Sequence, residues 1–237
     1  MRPPALALVP LLLWLASPAA AQDFVEFVSR EDGFKIVFPS QPRVQETTYT
    51  SQQEYTLPAR IYSAERAPQR FSVTVVDYRA VEQQGIARAK GCPAGAETCR
   101  GGQVESVIGP GYWKQDVRGA MTFALFTFLQ RDAVVTSLSW DWQDLVEGLL
   151  LQLTNNADRS RTNAAILMHD NRLYVVEGTV PSGYPEPGFF QQSMGFVDKD
   201  GNGIRYQRIY SNAFHGLGEY PVPQRTGGAP ADPPAGR

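Results

Sequence analysis

The sequence predicts an α+β fold: an antiparallel β-sheet meander with one main buried helix and shorter flanking helices. Between residues 133 and 180, four stretches of alternating apolar and polar residues are separated by short turns. Such close spacing is typical of antiparallel strands. Residues 112–131 instead repeat apolar side chains every three or four positions, which is the spacing of a helix. Because this stretch is apolar nearly all round, we expect the helix to be buried against the sheet.

The N-terminal part of the chain is predicted to form strands and one weak helix. Two apolar stretches flank Asp32 and Gly33, a dipeptide typical of a hairpin turn. Residues 80–90 indicate a weak helix, and residues 91–111 form a glycine-rich stretch that predicts a loop. Further strands are expected at residues 43–51, 54–66 and 71–79.

The C-terminal part is predicted to contain a short helix, a last strand and a tail. The stretch "FFQQSMGF" (residues 189–196) has an amphipathic helical pattern, and a final strand is expected at residues 204–210. Residues 211–237 are dominated by Pro, Gly and Ala, which predicts a disordered tail. Residues 22–210 are therefore expected to form a single domain.

Residues 1–21 have the features of a signal peptide. Arg2 precedes an apolar run from Ala5 to Ala16, and the small residues Ala19 and Ala21 follow it. This is the pattern read by signal peptidase. The run is shorter than the roughly 20 apolar residues needed to span a bilayer. We therefore expect cleavage after Ala21 and a periplasmic or secreted chain with no transmembrane segment.

The charge of the mature chain excludes some classes of partner. Without Arg2 there are 21 basic residues against 24 acidic ones, a net charge near −3. Proteins that bind nucleic acid or anionic membranes carry a basic surplus instead. We therefore expect no nucleic-acid partner, and the candidates are a periplasmic protein or a small molecule. No stretch indicates a cofactor site.

The two cysteines, Cys92 and Cys99, are seven positions apart in the glycine-rich stretch. In an exported chain such a pair is usually a disulfide. A zinc site needs two further ligands, and a redox-active pair normally has the spacing C-x-x-C. The sequence therefore predicts a structural disulfide.

Three stretches carry a family resemblance: "DGFKIVFPSQP" (32–42), "NRLYVVEGTVP" (171–181) and "PGFFQQSMGFVD" (187–198). Together they resemble PsbP-like secreted proteins and a group of uncharacterised exported proteins of proteobacteria. The resemblance implies an antiparallel sheet flanked by helices, as an α/β/α sandwich. It also implies an accessory or binding role and no catalysis.

The loop "DKDGNG" resembles the start of a calcium-binding EF-hand loop. Asp198, Asp200, Asn202 and Gly203 fill its first, third, fifth and sixth positions. The twelfth position, where an EF-hand has a bidentate Glu, is Ile209, which supplies no side-chain oxygen. Asp, Asn and Gly are also the usual residues of hairpin turns. A turn is therefore favoured, and a calcium-stabilised module stays a weaker alternative.

His169 and Asp170 are adjacent and could serve a nucleophilic serine. The chain has no G-x-S-x-G motif to provide that nucleophile. A hydrogen-bonded structural histidine is therefore favoured over a catalytic one. A hydrolase whose site assembles around His169 and Asp170 remains the alternative from a different functional class.

Trp140 and Trp142 alternate on one face of a predicted strand. Paired tryptophans on a strand usually pack in a core, but they can also form an aromatic ligand platform. Arg159, Arg161 and His169 would be its polar groups. The leading hypothesis is a non-catalytic exported accessory or binding protein of unknown ligand.

Overall fold

The computed structural model describes residues 24–91 and 112–204, together with two short strands beyond them. The helices are α1 (Val81–Lys90), α2 (Tyr112–Leu129) and α3 (Gly188–Gln192). The strands are β1 (Val25–Ser29), β2 (Phe34–Phe38), β3 (Arg43–Thr50), β4 (Thr56–Arg66), β5 (Gln69–Asp77), β6 (Ala133–Gln143), β7 (Val146–Asn155), β8 (Arg161–His169), β9 (Arg172–Val180), β10 (Gly195–Phe196), β11 (Arg208–Ile209) and β12 (Tyr220–Pro221).

Seven strands form the main sheet, in the order β3-β4-β5-β9-β8-β7-β6. Every neighbouring pair in it is antiparallel. The predicted meander is present as β6 to β9, and β9 joins it to β5 over a long sequence separation. A smaller sheet has the order β1-β2-β10. β3 and β6 are consequently the two edge strands of the main sheet.

One face of the main sheet packs against α1 and α2, and we call this the helix-side core. Leu151 and Leu153 of β7 and Ile166 of β8 point into it from the sheet. The face of α2 that meets them has side chains at helical spacing. These are Trp113, Val117, Ala120, Ala124 and Phe128, all buried.

The opposite face of the main sheet packs against the smaller sheet and α3, and we call this the hairpin-side core. The side chains of Phe34, Ile36 and Phe38 alternate along β2 and are fully buried here. Phe190 of α3 packs between them and the main sheet, with its ring centroid 5.1 Å from that of Phe38 and 5.0 Å from that of Phe71.

The predicted α+β fold with an α/β/α sandwich is wrong. Ten of the twelve described strands form two antiparallel sheets, β11 and β12 pair separately, and about 19% of the residues are helical. The second face of the main sheet is covered chiefly by the β1–β2 hairpin, because its period-two apolar pattern buries one side of a sheet. The stretch "FFQQSMGF" gives only the five-residue helix α3, which cannot form a layer.

The C-terminal prediction is also corrected in part. Arg208 and Ile209 pair with Pro221 and Tyr220, so they do not extend the main sheet as the predicted strand at residues 204–210 would. The signal peptide, and the tail apart from β12, lie outside the described residues. None of the helices in the described ranges is long and apolar enough to cross a membrane.

Candidate functional site

The predicted aromatic platform begins on the edge strand β6. Trp140 and Trp142 are 55% and 52% exposed, so they are not core residues. Trp140 lies opposite Leu149, which packs against the helix-side core. Directly paired residues point to the same face of a sheet, so both tryptophans project on the side of α2.

The other predicted platform residues lie elsewhere. Trp140 lies opposite Leu149 of β7, which in turn lies opposite Ile166 of β8. Arg161 is five residues from Ile166, which is about 16 Å along β8. Arg161 bonds to the Glu186 carboxylate at 2.9 Å, and Arg159 lies in the turn that precedes β8. His169 points to the hairpin side, opposite the tryptophans. The structure therefore does not bring these five residues together.

His169 is buried, and its ring packs against Phe196 with the centroids 4.5 Å apart. Burial lowers the pKa of His169 to about 4. The charge of Asp170 raises this pKa and the charge of Arg172 lowers it. The Asp170 carboxylate accepts a 2.8 Å hydrogen bond from Arg172. A histidine with this pKa is neutral and only weakly basic at neutral pH, which favours the structural interpretation.

The loop that resembles an EF-hand is held together by hydrogen bonds within the loop. Asp198 Oδ1 accepts the backbone N–H groups of Asp200 and Asn202, both at 2.9 Å. Val197 and Gly203 form a bridge across the loop, and Lys199 pairs with Asp200. No three His, Cys, Asp or Glu side chains within the described ranges are grouped to hold a metal ion. These contacts favour the turn.

Cys92 and Cys99 lie outside the described residues, so the disulfide stays a prediction.

A polar cluster that sequence reasoning missed is centred on Asp32, in the turn between β1 and β2. Gly33 takes the positive φ of 68° that this turn requires. The Tyr174 hydroxyl donates a 2.6 Å hydrogen bond to the Asp32 carbonyl, and Ser29 Oγ accepts the Asp32 N–H at 3.2 Å. The turn is therefore fixed to the main sheet.

The Asp32 carboxylate is buried and has two close partners on β4. Oδ1 accepts a 2.8 Å hydrogen bond from Arg60, and Oδ2 accepts a 2.6 Å hydrogen bond from the Tyr62 hydroxyl. Burial and this bond raise the pKa of Tyr62 to about 12, so the hydroxyl stays protonated as a donor. Arg60 also pairs with Glu31, and its Nε lies 3.6 Å from a Glu46 oxygen.

A cleft of about 720 Å³ opens above this cluster, between the β1–β2 hairpin and the edge of the main sheet. Phe27, Val28 and Val44 form its apolar wall. Its charged lining consists of Arg30, Glu31, Glu46 and Arg60. The volume lies within the range of small-molecule sites, and the cleft is open to solvent over much of its surface.

The charges of the cleft are unequal. Counting Asp32 beneath it, the cleft has three carboxylates (Glu31, Asp32 and Glu46) and two guanidinium groups (Arg30 and Arg60), a formal net charge of −1, and the Glu31 and Glu46 side chains are 70% and 83% exposed. Arg30 is the remaining cation of the lining and forms no ion pair within the described part of the chain. The cleft therefore carries a net negative charge beside an apolar wall.

The sequence contains one weak signal for this site. Period-two alternation in "TLPARIYSAER" places Arg60 on the same face as Tyr62 and Ala64, which are buried. A charged side chain on a buried face needs an oppositely charged partner. That signal could have indicated a buried acid, but it does not identify Asp32.

No protein-family model matches the chain, and no curated protein matches it. Among solved structures, the chain is similar to the solution structure of cyanobacterial PsbP (CyanoP) from Synechocystis sp. PCC 6803. The identity is 10% and the TM-score 0.41, with 78% of this chain and 99% of the other covered. The neighbour bears the name of the PsbP-like group given above, and the match says nothing about the proteobacterial group. At this TM-score we draw neither function nor partner from it.

Proposed function

We propose that the chain is a non-catalytic binding protein whose ligand site is the cleft above Asp32 and Arg60. The observation that carries this proposal is the cleft itself: an apolar wall and exposed carboxylates meet over a rigid hydrogen-bonded floor. Preformed clefts of this kind bind small molecules with little reorganisation. The hydrolase alternative gains no support, because His169 is neutral and buried and Asp170 pairs with Arg172.

The lining indicates the class of ligand. Glu31 and Glu46 attract a positively charged group, and Phe27, Val28 and Val44 offer contact to an apolar body. The ligand is therefore a small amphipathic amine. Neutral and anionic molecules of the same shape bind less well, because they leave the net negative charge of the cleft uncompensated.

Isothermal titration calorimetry with three matched probes tests this proposal. We expect hexylammonium to bind at least about tenfold more tightly than 1-hexanol, which is a preference of about 1.4 kcal/mol. Hexanoate should bind more weakly still, because Glu31 and Glu46 repel it. Glu46→Gln should reduce the preference for the cation.

Glu65→Gln is the matched control, because Glu65 is an exposed acid of β4, the strand next to the β3 strand that carries Glu46, but does not line the cleft. It should leave all three affinities unchanged. Equal affinities for the three probes, or equal effects of the two substitutions, would contradict the proposal.

We further propose that the protein acts outside the cytoplasm after removal of residues 1–21. The apolar run and the small residues Ala19 and Ala21 support this. When the full chain is expressed in a Gram-negative host, mass spectrometry of the periplasmic fraction should find a chain whose first residue is Gln22. An uncleaved chain in the cytoplasm would refute it.

A further inference from the structure

The edge strand β6 presents a row of exposed apolar side chains on one face. A bulge between Val135 and Ser137 places Val135 opposite Leu153 and keeps Leu138 opposite Leu151. Val135, Leu138, Trp140 and Trp142 therefore share the α2 side of the sheet, and each is more than 40% exposed. Uninterrupted alternation from Trp140 would instead place Thr136 and Val134 in this row.

The two edges of the main sheet differ in protection. β3 carries the charged residues Arg43 and Glu46. Among the large apolar side chains that are strongly exposed in the described structure, Val44 is the only one on β3. Soluble proteins usually protect edge strands with such charges against pairing with other chains. β6 spans eleven residues and has Asp141 as its single charge. Among the described residues no strand pairs with the outer side of β6, so β6 is the edge that is open to another strand.

The hairpin geometry determines which backbone N–H and C=O groups of β6 point away from β7. Asp144 and Leu145 have positive φ values of 51° and 69°, as a two-residue hairpin turn requires, and Gln143 pairs with Val146 beside them. In such a hairpin alternate residues bond to the neighbouring strand. Leu138, Trp140 and Trp142 are the residues that direct N–H and C=O groups outward. In agreement, the Trp142 N–H donates to Asp141 Oδ1 at 2.7 Å.

We propose that β6 pairs antiparallel with β6 of a second copy of this chain, about a two-fold axis at Trp140. This register places Leu138 opposite Trp142 of the second copy and Trp140 opposite its own equivalent. All three outward-facing residues then form hydrogen-bonded pairs with apolar side chains adjacent on one face. Asp141 meets Ser139, so no like charges face each other.

This self-complementarity favours a second copy over an unrelated peptide as the occupant. The same surface serves both partners, as a two-fold interface requires. A large aromatic side chain buries about 150–250 Å² of surface when it is fully buried. Leu138, Trp140 and Trp142 are each about half exposed, so pairing would bury roughly 300 Å² of their surface on each copy. Two copies together bury about 600 Å², which is about half of the lower bound of 1,200 Å² for a stable interface. The dimer therefore dissociates on dilution.

Sedimentation velocity of the mature chain across a wide range of concentration tests the proposal. We expect a reversible monomer–dimer equilibrium in which added salt increases the dimer, because each copy has a net charge near −3. Trp140→Lys should weaken the dimer at least about tenfold, because it places two like charges opposite each other at the axis. Asp141→Ala should strengthen it, because the Trp142 N–H is released for pairing.

Thr48→Lys on the other edge strand is the control and should leave the equilibrium unchanged, because Thr48 is exposed on β3 and does not line the cleft. Circular dichroism of Trp140→Lys should match the wild type, because the replaced side chain is exposed. A wild-type chain that stays monomeric at every concentration overturns the proposal, and so does a Trp140→Lys chain that dimerises as the wild type does. Neither outcome affects the cleft, which lies at the β3 edge.

Discussion

Replacing Arg60 by methionine is expected to lower the free energy of unfolding by about 3–5 kcal/mol. The Asp32 side chain is 7% exposed, and Arg60 supplies its neutralising charge at 2.8 Å. Methionine keeps the apolar stem but leaves the carboxylate buried without a cation, with the Tyr62 hydroxyl as its remaining side-chain donor. Urea denaturation followed by circular dichroism measures the loss.

The double variant Asp32→Asn with Arg60→Met separates the buried charge from simple loss of packing. Asn can still accept the Tyr62 hydrogen bond, and no charge remains buried, so most of the lost stability should return. Arg79→Met is the matched control. Its pair with Asp77 is half exposed at the arginine, so its removal should cost at most about 1 kcal/mol. Similar losses in Arg60→Met and Arg79→Met would contradict the assigned role of Asp32.

Asp32 also shows why the candidate site could not be read from the sequence. The sequence identified the Asp32-Gly33 turn correctly as the centre of a hairpin, since that depends on local backbone preferences. Arg60 is 28 residues away, and the pairing depends on how the hairpin lies across the main sheet. Alternation fixes which face a residue occupies but not which layer covers that face.

The tryptophans of β6 illustrate the same limit for strand order. Alternation correctly predicted a strand containing Trp140 and Trp142, and apolar spacings of three and four correctly predicted a helix at residues 112–131, which the structure has as Tyr112–Leu129. Whether a strand is central or at an edge depends on long-range pairing. Because β9 pairs with β5, the strands of the meander extend outward from the centre and β6 becomes the edge. Residues that the sequence assigned to a core or a platform are exposed for that reason.

Acid is expected to destabilise the protein through His169, by roughly 3 kcal/mol between pH 6.5 and pH 4. Burial lowers the pKa of His169 from 6.5 to about 4 in the folded chain. Between these values the unfolded chain binds a proton that the folded chain does not. Stability is therefore complete above pH 6.5 and is lost as the pH falls through the folded pKa.

Asp170 and Arg172 act on His169 in opposite directions, so burial against Phe196 sets the direction of the shift. His169→Gln removes the titrating group, and its unfolding free energy should fall less steeply than that of the wild type from pH 6.5 to pH 4. His215→Gln, which removes the chain's other histidine, is the comparison. Urea unfolding at a series of pH values measures all three slopes. Carboxylates add the same acid sensitivity to each chain, so the difference between the slopes isolates the contribution of His169. Equal slopes for His169→Gln and the wild type would contradict the prediction, because they would show that His169 accepts its proton as readily in the folded chain as in the unfolded chain.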